Sequence, residues 1–361
     1  MPAAPLRIVS IGGGNGLSTL LRGLKRYIKA GSSIELTAVV TVMDDGGSSG
    51  RLRRDFDVLP PGDVRNCMVA LARDETLMTR LFQYRFSTGR GLKGHSFGNL
   101  FLTALTHLTG DFSSAIQASA QVLPVLGQIY PATAANVVLE ATLTDGRIVR
   151  GESKISRSRL PIERVSLKPA RPKPLAATLK AIAAADLITM GPGSLYTSVI
   201  PNLLVAGIAD AIVASPALKA YFVNLMSQPG ETTGLRASDH VAAILRHGAK
   251  RGIKPLVDVC VVNSAAIRGR VLDRYREQTA KPVENDAANL SALGLTVISA
   301  DLLRMNRMAT DGKIRHDPGA LGAVAFELAQ RGRRRQAALK KANKPVPEGR
   351  GSETVSAPLR F

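Results

Sequence analysis

The chain has 361 residues, 45% of them hydrophobic, which is enough apolar matter to bury a sizeable core and to exclude a disordered polymer. A formal charge of +20 raises the question of a polyanionic partner, but an aromatic content of 4% leaves little to stack on bases. No apolar run reaches the roughly 18 residues of a membrane span, and the first seven residues lack the charged-then-apolar order of a signal peptide, so a cytoplasmic location is expected.

Residues 6–11 form a short apolar run that stops at Gly12-Gly13-Gly14-Asn15-Gly16, after which Leu17, Leu20, Leu21, Leu24 and Ile28 recur at helical spacing until Gly31. A second strand, 36–43, rich in β-branched residues, delivers Asp44-Asp45 to its tip, followed by Gly46-Gly47-Ser48-Ser49-Gly50. Asp63 is placed as the N-cap of a helix ending at Leu71, and a further helix runs from Gly98 to about His107. Segments 136–143 and 148–151 flank Thr144-Asp145-Gly146-Arg147, whose Asp-Gly pair signals a hairpin. The basic stretch 147–173 leads into the polyproline-like Lys168-Pro169-Ala170-Arg171-Pro172-Lys173-Pro174 and reads as a solvated connection.

Alternation then resumes, with helix 175–185, strand 187–190, the loop Gly191-Pro192-Gly193-Ser194, helix 195–204, strand 220–225, helix 239–246, strand 256–262, strand 295–299 and helix 318–330. This order predicts an α/β fold, a Rossmann-like, doubly wound and mostly parallel sheet in one domain over residues 1–330, with a β-hairpin insertion at about 136–174. Residues 331–361 hold nine Lys or Arg against two Glu and are expected to form a basic disordered tail. With that much charge in a tail, nucleic acid is not expected as the main partner. Cys67 and Cys260 lie in apolar stretches and read as buried thiols.

In a doubly wound sheet, ligands collect beyond the carboxyl ends of the strands, which is where the three glycine-rich loops fall. The first loop fails the dinucleotide fingerprint, since its sixth position is Leu17, and it lacks the Walker Gly-Lys-Ser/Thr ending. It remains a generic phosphate loop, with backbone N–H groups and the Ser18 and Thr19 hydroxyls near a positive helix end. Gly191, Pro192, Gly193 and Ser194 form the stronger phosphate candidate, with Ser194 as a prospective cap and Thr197 in the first turn. Asp44 and Asp45 suit ribose hydroxyls, a magnesium ion bridging phosphates, or a capping role. Arg51, Arg53, Arg54 and Arg65-Asn66 offer guanidinium forks for phosphate, and Ser48 and Asn99 join the same binding set. His95, in Gly94-His95-Ser96-Phe97-Gly98-Asn99, is a candidate acid or base beside Asp44 and Asp45, against the alternative of a hydrogen-bonded structural histidine. Asn224 and the segment Gln228-Pro229-Gly230-Glu231-Thr232-Thr233 form a polar edge suited to a base or sugar.

Together these segments resemble the YvcK, or gluconeogenesis-factor, family, related to the 2-phospho-L-lactate transferases that build the deazaflavin coenzyme. The resemblance is carried by residues 8–16 (IVSIGGGNG), 42–51 (VMDDGGSSGR), 60–66 (PPGDVRN), 94–100 (GHSFGNL), 186–201 (DLITMGPGSLYTSVIP) and 224–233 (NLMSQPGETT). It implies a Rossmann-like domain whose cleft takes a nucleotide sugar such as UDP-N-acetylglucosamine, with NAD as the ligand of some members. It also implies a role in carbon metabolism, cell-wall supply and cell shape. By resemblance, Gly12 to Gly16 and Gly191 to Ser194 would hold diphosphate, Asp44 and Asp45 match the acidic pair by the acceptor and metal, and Asn224 and Thr232 lie on the nucleoside side. Segments 46–51 and 228–233 follow the YvcK pattern rather than the transferase one, which sets phospholactyl transfer and deazaflavin apart from the main expectation. That expectation is a ligand-responsive regulatory protein, monomer or homodimer, whose bound state is read by a protein partner. A magnesium-dependent transferase is the alternative.

Overall fold

Ile8 and Val9 are consecutive on the first strand, β1 (Leu6–Gly12), yet both are buried, in cores on opposite sides of it. A strand covered on both faces belongs to the interior of a parallel sheet. The computed structural model, which describes residues 4–73, 77–248, 256–304 and 313–342, bears this out. After β1 come β2 (Ile34–Val40), β3 (Gln128–Pro131), β4 (Val138–Leu143), β5 (Ile148–Arg150), β6 (Ile162–Lys168), β7 (Leu187–Met190), β8 (Leu218–Phe222), β9 (Val259–Asn263) and β10 (Thr296–Ala300). Seven of them make one sheet in the order β10-β9-β8-β7-β1-β2-β3, with every pairing parallel. The remaining three form an antiparallel sheet, β5-β4-β6, inserted between β3 and β7.

On one face, Ile8, Val40 and Phe222 pack against Leu20, Leu21 and Leu24 of helix Gly14–Lys29 and Leu321 and Leu328 of helix Pro318–Ala342. Those two helices touch backbone to backbone: a Cβ on Gly23 would lie 1.9 Å from the Pro318 carbonyl oxygen. On the other face, Val9, Ile11, Ile188 and Met190 meet Ile182, Val199 and Ile244 from the flanking helices and Leu139, Val165 and Leu167 from the insertion. Among the described residues no single helix is long and apolar enough to cross a membrane.

Three expectations need correction. The basic stretch after the hairpin is not a solvated connection throughout, because it contains β6, which buries Ile162, Val165 and Leu167 while Arg164 and Lys168 face outward. The charge density masked that alternation. The segment after Gly46 is helix, Gly47–Phe56, rather than an open loop, and the helix after Ser194 begins as a π-helical turn, Leu195–Val199, before Ile200–Leu203. Pro201 has no N–H to bond the Thr197 carbonyl, so the regular register is interrupted there.

The tail does not begin at residue 331. Helix Pro318–Ala342 carries on because its basic residues find partners in the fold: Arg333 pairs with Asp186 at 2.6 Å, Gln336 Nε2 donates to the Ala185 carbonyl at 2.8 Å, and Arg335 reaches Asp258 at 3.2 Å. Gly332 packs so closely on the start of β7 that a Cβ would stand 2.0 Å from the Asp186 oxygen. The rest of the expected tail, 343–361, lies outside the described residues. Arg333→Ala leaves the buried Asp186 carboxylate short of a charged donor and is expected to lower the unfolding free energy by about 1–3 kcal/mol. An unchanged urea midpoint would show that this helical extension contributes nothing.

Candidate ligand-binding site

The strand order reverses direction at β1. The chain proceeds from β1 outward to β2 and β3 on one side, then returns to start β7 on the other, so the crevice lies between the ends of β1 and β7. Both glycine loops open there. Ile11 pairs with Met190, and the chains then run so close that a Cβ on Gly16 would lie 2.2 Å from the Pro192 carbonyl oxygen and 2.9 Å from Gly193 Cα. Only glycine at residue 16 allows that approach. Asn202, from the helix that follows, donates to the Gly12 carbonyl at 3.3 Å and ties the two halves together.

Helix Gly14–Lys29 starts at the crevice, earlier than the periodicity suggested, with Gly13 as its cap residue. The first-turn N–H groups of Gly14, Asn15 and Gly16 thus belong to the helix end, where intrahelical acceptors are absent and positive potential collects. The Ser18 and Thr19 hydroxyls are not free for phosphate, since both donate to the Asn15 carbonyl, at 3.0 and 2.7 Å. In the second loop, Asn224 grips the Gly193 peptide on both sides: Gly193 N–H donates to Oδ1 at 3.1 Å, and Nδ2 donates to Gly193 O at 2.8 Å. That N–H is therefore spent on loop geometry. Ser194 does not cap its helix either; its Oγ accepts from Gln228 Nε2 at 2.8 Å. The loops frame a cavity of about 450 Å³, lined by Gly13, Gly14, Asn15, Gly16, Pro192, Gly193, Ser194 and Asn224, with Gln228, Tyr275 and His316 opposite. That volume suits a ligand of nucleotide size.

Two acids that the sequence did not single out for this role also line the cavity, Asp63 and Glu152. Asp63 is not the N-cap of its own helix, Gly62–Leu71, which is Pro61; its carboxyl instead accepts from the Gly14 N–H at the start of the first helix. Burial, reinforced by the nearby Asp44, pushes Asp63 up to about 7. Burial and the charges of Asp44, Asp63, Glu231 and Asp45 push Glu152 up to about 9. Near neutral pH Glu152 bears its proton and Asp63 is in mid-titration, so Glu152, and Asp63 in its protonated form, present hydrogen-bond donors to an anion. No Lys or Arg lines the cavity among the described residues. His316, held at about 4 by burial, is neutral and lies 3.3 Å from the Val223 carbonyl through Nε2.

A family model for the 2-phospho-L-lactate transferase CofD matches residues 8–303. The chain belongs to the CofD family. It is similar to the gluconeogenesis factor of Bacillus subtilis, 44% identical over 322 residues that cover 89% of this chain and 98% of that protein. It is also similar to the gluconeogenesis factor of Halalkalibacterium halodurans, at 46% over 320 residues covering 89% and 95%. A crystal structure of a UPF0052-family protein from Bacillus halodurans superposes with a TM-score of 0.82 at 46% identity, covering 89% of this chain and 99% of that one. Within the CofD family, the chain stands with the gluconeogenesis factors.

Several expected site residues of this CofD-family chain do not face the cavity. Asp44 and Asp45 part company: Asp44 Oδ1 accepts from Gly46 N–H at 2.9 Å, while Asp45 Oδ1 accepts from Ser153 N–H at 2.8 Å in the insertion. Asp44 thereby takes the expected bond to the turn that follows the pair, while Asp45 holds the start of the turn Glu152–Ile155. Each carboxylate thus has a backbone donor of its own, and among the described residues no three His, Cys, Asp or Glu side chains gather as a metal-holding group.

Ser48, His95 and Asn99 form a buried latch, with Ser48 Oγ 3.0 Å from His95 Nδ1 and Asn99 Nδ2 donating to Ser48 Oγ at 3.1 Å. Burial, helped by Arg51, favours the neutral imidazole of His95, which Ser48 holds by hydrogen bond. Arg51 donates to the Lys93 carbonyl at 2.7 Å, Arg53 to that of Val137 at 2.6 Å, and Arg65 to Asn66 Oδ1 at 2.7 Å. The first two guanidinium groups brace loops, whereas Arg65 bonds its helix neighbour and its buried Nε has no partner. Thr197 and Thr232 stand behind the cavity: Thr197 Oγ1 donates to the buried Glu231 at 3.0 Å, and Thr232 Oγ1 accepts from Gln228 N–H at 2.9 Å. Glu231 also accepts from Ser156 at 3.0 Å, which joins the insertion to the loop. Its presence within a Gly-Glu-Thr-Thr run was visible in the sequence, but its partners were not.

Proposed function

We propose that the chain binds a nucleotide sugar of the UDP-N-acetylglucosamine type in the β1/β7 crevice and acts as a cytoplasmic regulatory protein linking precursor supply to carbon metabolism, wall synthesis and cell shape. The observation that carries this reading is the backbone contact between the two glycine loops, which sets the first-turn amides of Asn15 and Gly16 on the wall of one cavity, beside the Gly14 amide that Asp63 holds. A diphosphate has N–H donors there, and Glu152, together with the protonated form of Asp63, adds donors to the wall. Asn224, Gln228 and Tyr275 form a polar wall suited to the nucleoside and sugar. NAD is the alternative occupant, disfavoured by the failed fingerprint at Leu17.

Calorimetric titration with UDP-N-acetylglucosamine, UDP, NAD and UDP-glucose is the test. Saturable binding of the first, tighter than NAD, is expected; no heat from any nucleotide sugar would end the proposal. Asn224→Ala releases Gly193 and is expected to weaken that binding about tenfold, the worth of a hydrogen-bonded positioning group, with the thermal midpoint nearly unchanged. Binding as tight as in the native chain would remove Asn224 from the site.

The CofD family match and the two acids in the cavity also favour a second reading, transfer of a phospho group. Incubation with UDP-N-acetylglucosamine, Mg²⁺ and candidate acceptors separates the readings, because product formed at catalytic rates would replace the sensor with an enzyme.

A further inference from the structure

Helix Gly14–Lys29 carries the crevice at its first turn and a separate basic cleft at its last two turns, about 15 Å further along at ~1.5 Å per residue. Arg22, Lys25, Arg26 and Lys29, at i, i+3, i+4 and i+7, share one face of the helix and form one wall of this cleft of about 1040 Å³. Arg73, Arg80 and Arg304 supply the opposing walls, from the end of helix Gly62–Leu71, from helix Leu77–Gln83 and from the segment after β10. Six of these seven side chains are exposed, and the half-buried Lys25 is fixed by donating to the Ala72 carbonyl at 3.0 Å.

Asp317 is the one acid among the lining residues. Even with Asp74 and Glu75 counted, because they follow Arg73 in the sequence, seven cations against three acids leave an excess of four. Like charges one turn apart on a helix repel. Concentrating them in a concave surface raises the local potential far above that of scattered surface charge. The lining holds no aromatic side chain, so recognition there is of charge and not of a base.

We propose that this cleft is a second ligand site, for a compact small molecule carrying three or more linked phosphates, held by its phosphate chain. It is separate from the nucleotide-sugar crevice and does not depend on that reading. A short inorganic polyphosphate chain and the triphosphate of a nucleotide share this chemistry, and the cleft is expected to treat them alike.

Calorimetric titration of the full chain with inorganic tripolyphosphate at 150 mM salt tests this, with ATP and a ten-nucleotide RNA as further arms. Tripolyphosphate is expected to bind saturably, ATP within threefold of it, and RNA more weakly per molecule. Arg22→Gln with Lys29→Gln and Arg80→Gln is expected to weaken tripolyphosphate binding at least tenfold, whereas Arg90→Gln with Lys168→Gln and Lys180→Gln, an equal loss of charge elsewhere, changes it less than threefold. Arg73→Gln with Arg304→Gln reads the opposite wall and serves if the triple variant does not fold. Equal losses in the cleft and control variants, loss in neither, or RNA binding tighter than tripolyphosphate through the same side chains would each overturn the proposal.

Discussion

Gly16→Ala is expected to weaken ligand binding in the crevice by about a hundredfold and to weaken the fold. The added Cβ would stand 2.2 Å from the Pro192 carbonyl oxygen, and the obstacle is backbone on both sides, so neither loop can yield by a rotamer change. Overpacking of this kind costs about 1–3 kcal/mol of stability. The larger consequence is for affinity: separating the loops displaces the Gly14 to Gly16 amides from the Gly193 side, and a misplacement of about 1 Å costs on the order of a hundredfold at a preorganised site. Urea denaturation and calorimetry with UDP-N-acetylglucosamine read the two effects. Affinity within threefold of the native chain would mean that the contact between the loops is packing alone.

The second large effect is on pH dependence. Asp63 titrates near 7 in the fold because burial and Asp44 disfavour its charged form. Below that pH a bound diphosphate faces a neutral carboxyl at the helix start, and above it the diphosphate faces a carboxylate. Affinity is therefore expected to be flat in mildly acid solution and to fall by up to about tenfold per pH unit above 7, the limit for one coupled proton. Glu152, held protonated to about 9, extends the loss to higher pH. Asp63→Asn keeps an acceptor for the Gly14 N–H but removes the charge, so its affinity curve is expected to be level from pH 6 to pH 8.5.

The sign for stability follows from the same shift. The folded-state pKa lies above the unfolded value of about 3.9, so the proton binds the fold more tightly, and the stability this contributes at low pH is lost as pH rises from about 4 to 7. Asp63→Asn is accordingly expected to match the native chain in urea at pH 4 and to exceed it at pH 8. A native affinity that does not change between pH 6 and pH 8.5 would place Asp63 outside the binding equilibrium.

What could be read from the sequence was what the backbone itself encodes. Glycine runs at strand ends mark close approaches whatever their neighbours, so the loops at Gly12 to Gly16 and Gly191 to Ser194 were found before the sheet brought them together. Strand β7 was legible to the residue because its apolar run is bounded by Asp186 and Gly191. Side-chain roles were harder to read, since a carboxylate at a helix start looks like a cap: Asp63 belongs to one helix and serves another, at Gly14.

Glu152 gave no signal at all, because it reaches the cavity only through the insertion, which Asp45 and Glu231 tie down at Ser153 and Ser156. Ser48, His95 and Asn99 were read as members of the binding set, and the fold bonds Ser48 to both of the others while leaving the buried Asn99 Oδ1 without a partner. Basic residues misled most. Charge density suggested solvated chain at β6 and beyond residue 331, where Ile162, Val165 and Leu167 in one case and Gly332, Arg333 and Gln336 in the other fasten the segment to the fold.

The central claim is spatial: one diphosphate held where two loops from the halves of a wound sheet touch. A crystal structure of the full chain grown with UDP-N-acetylglucosamine tests it most directly. The account predicts diphosphate density against the first-turn amides of Asn15 and Gly16, within reach of Asp63, and with the uridine or sugar toward Asn224 and Gln228. Density for the ligand at the Ser48, His95 and Asn99 cluster, with the crevice filled only by solvent, would contradict it.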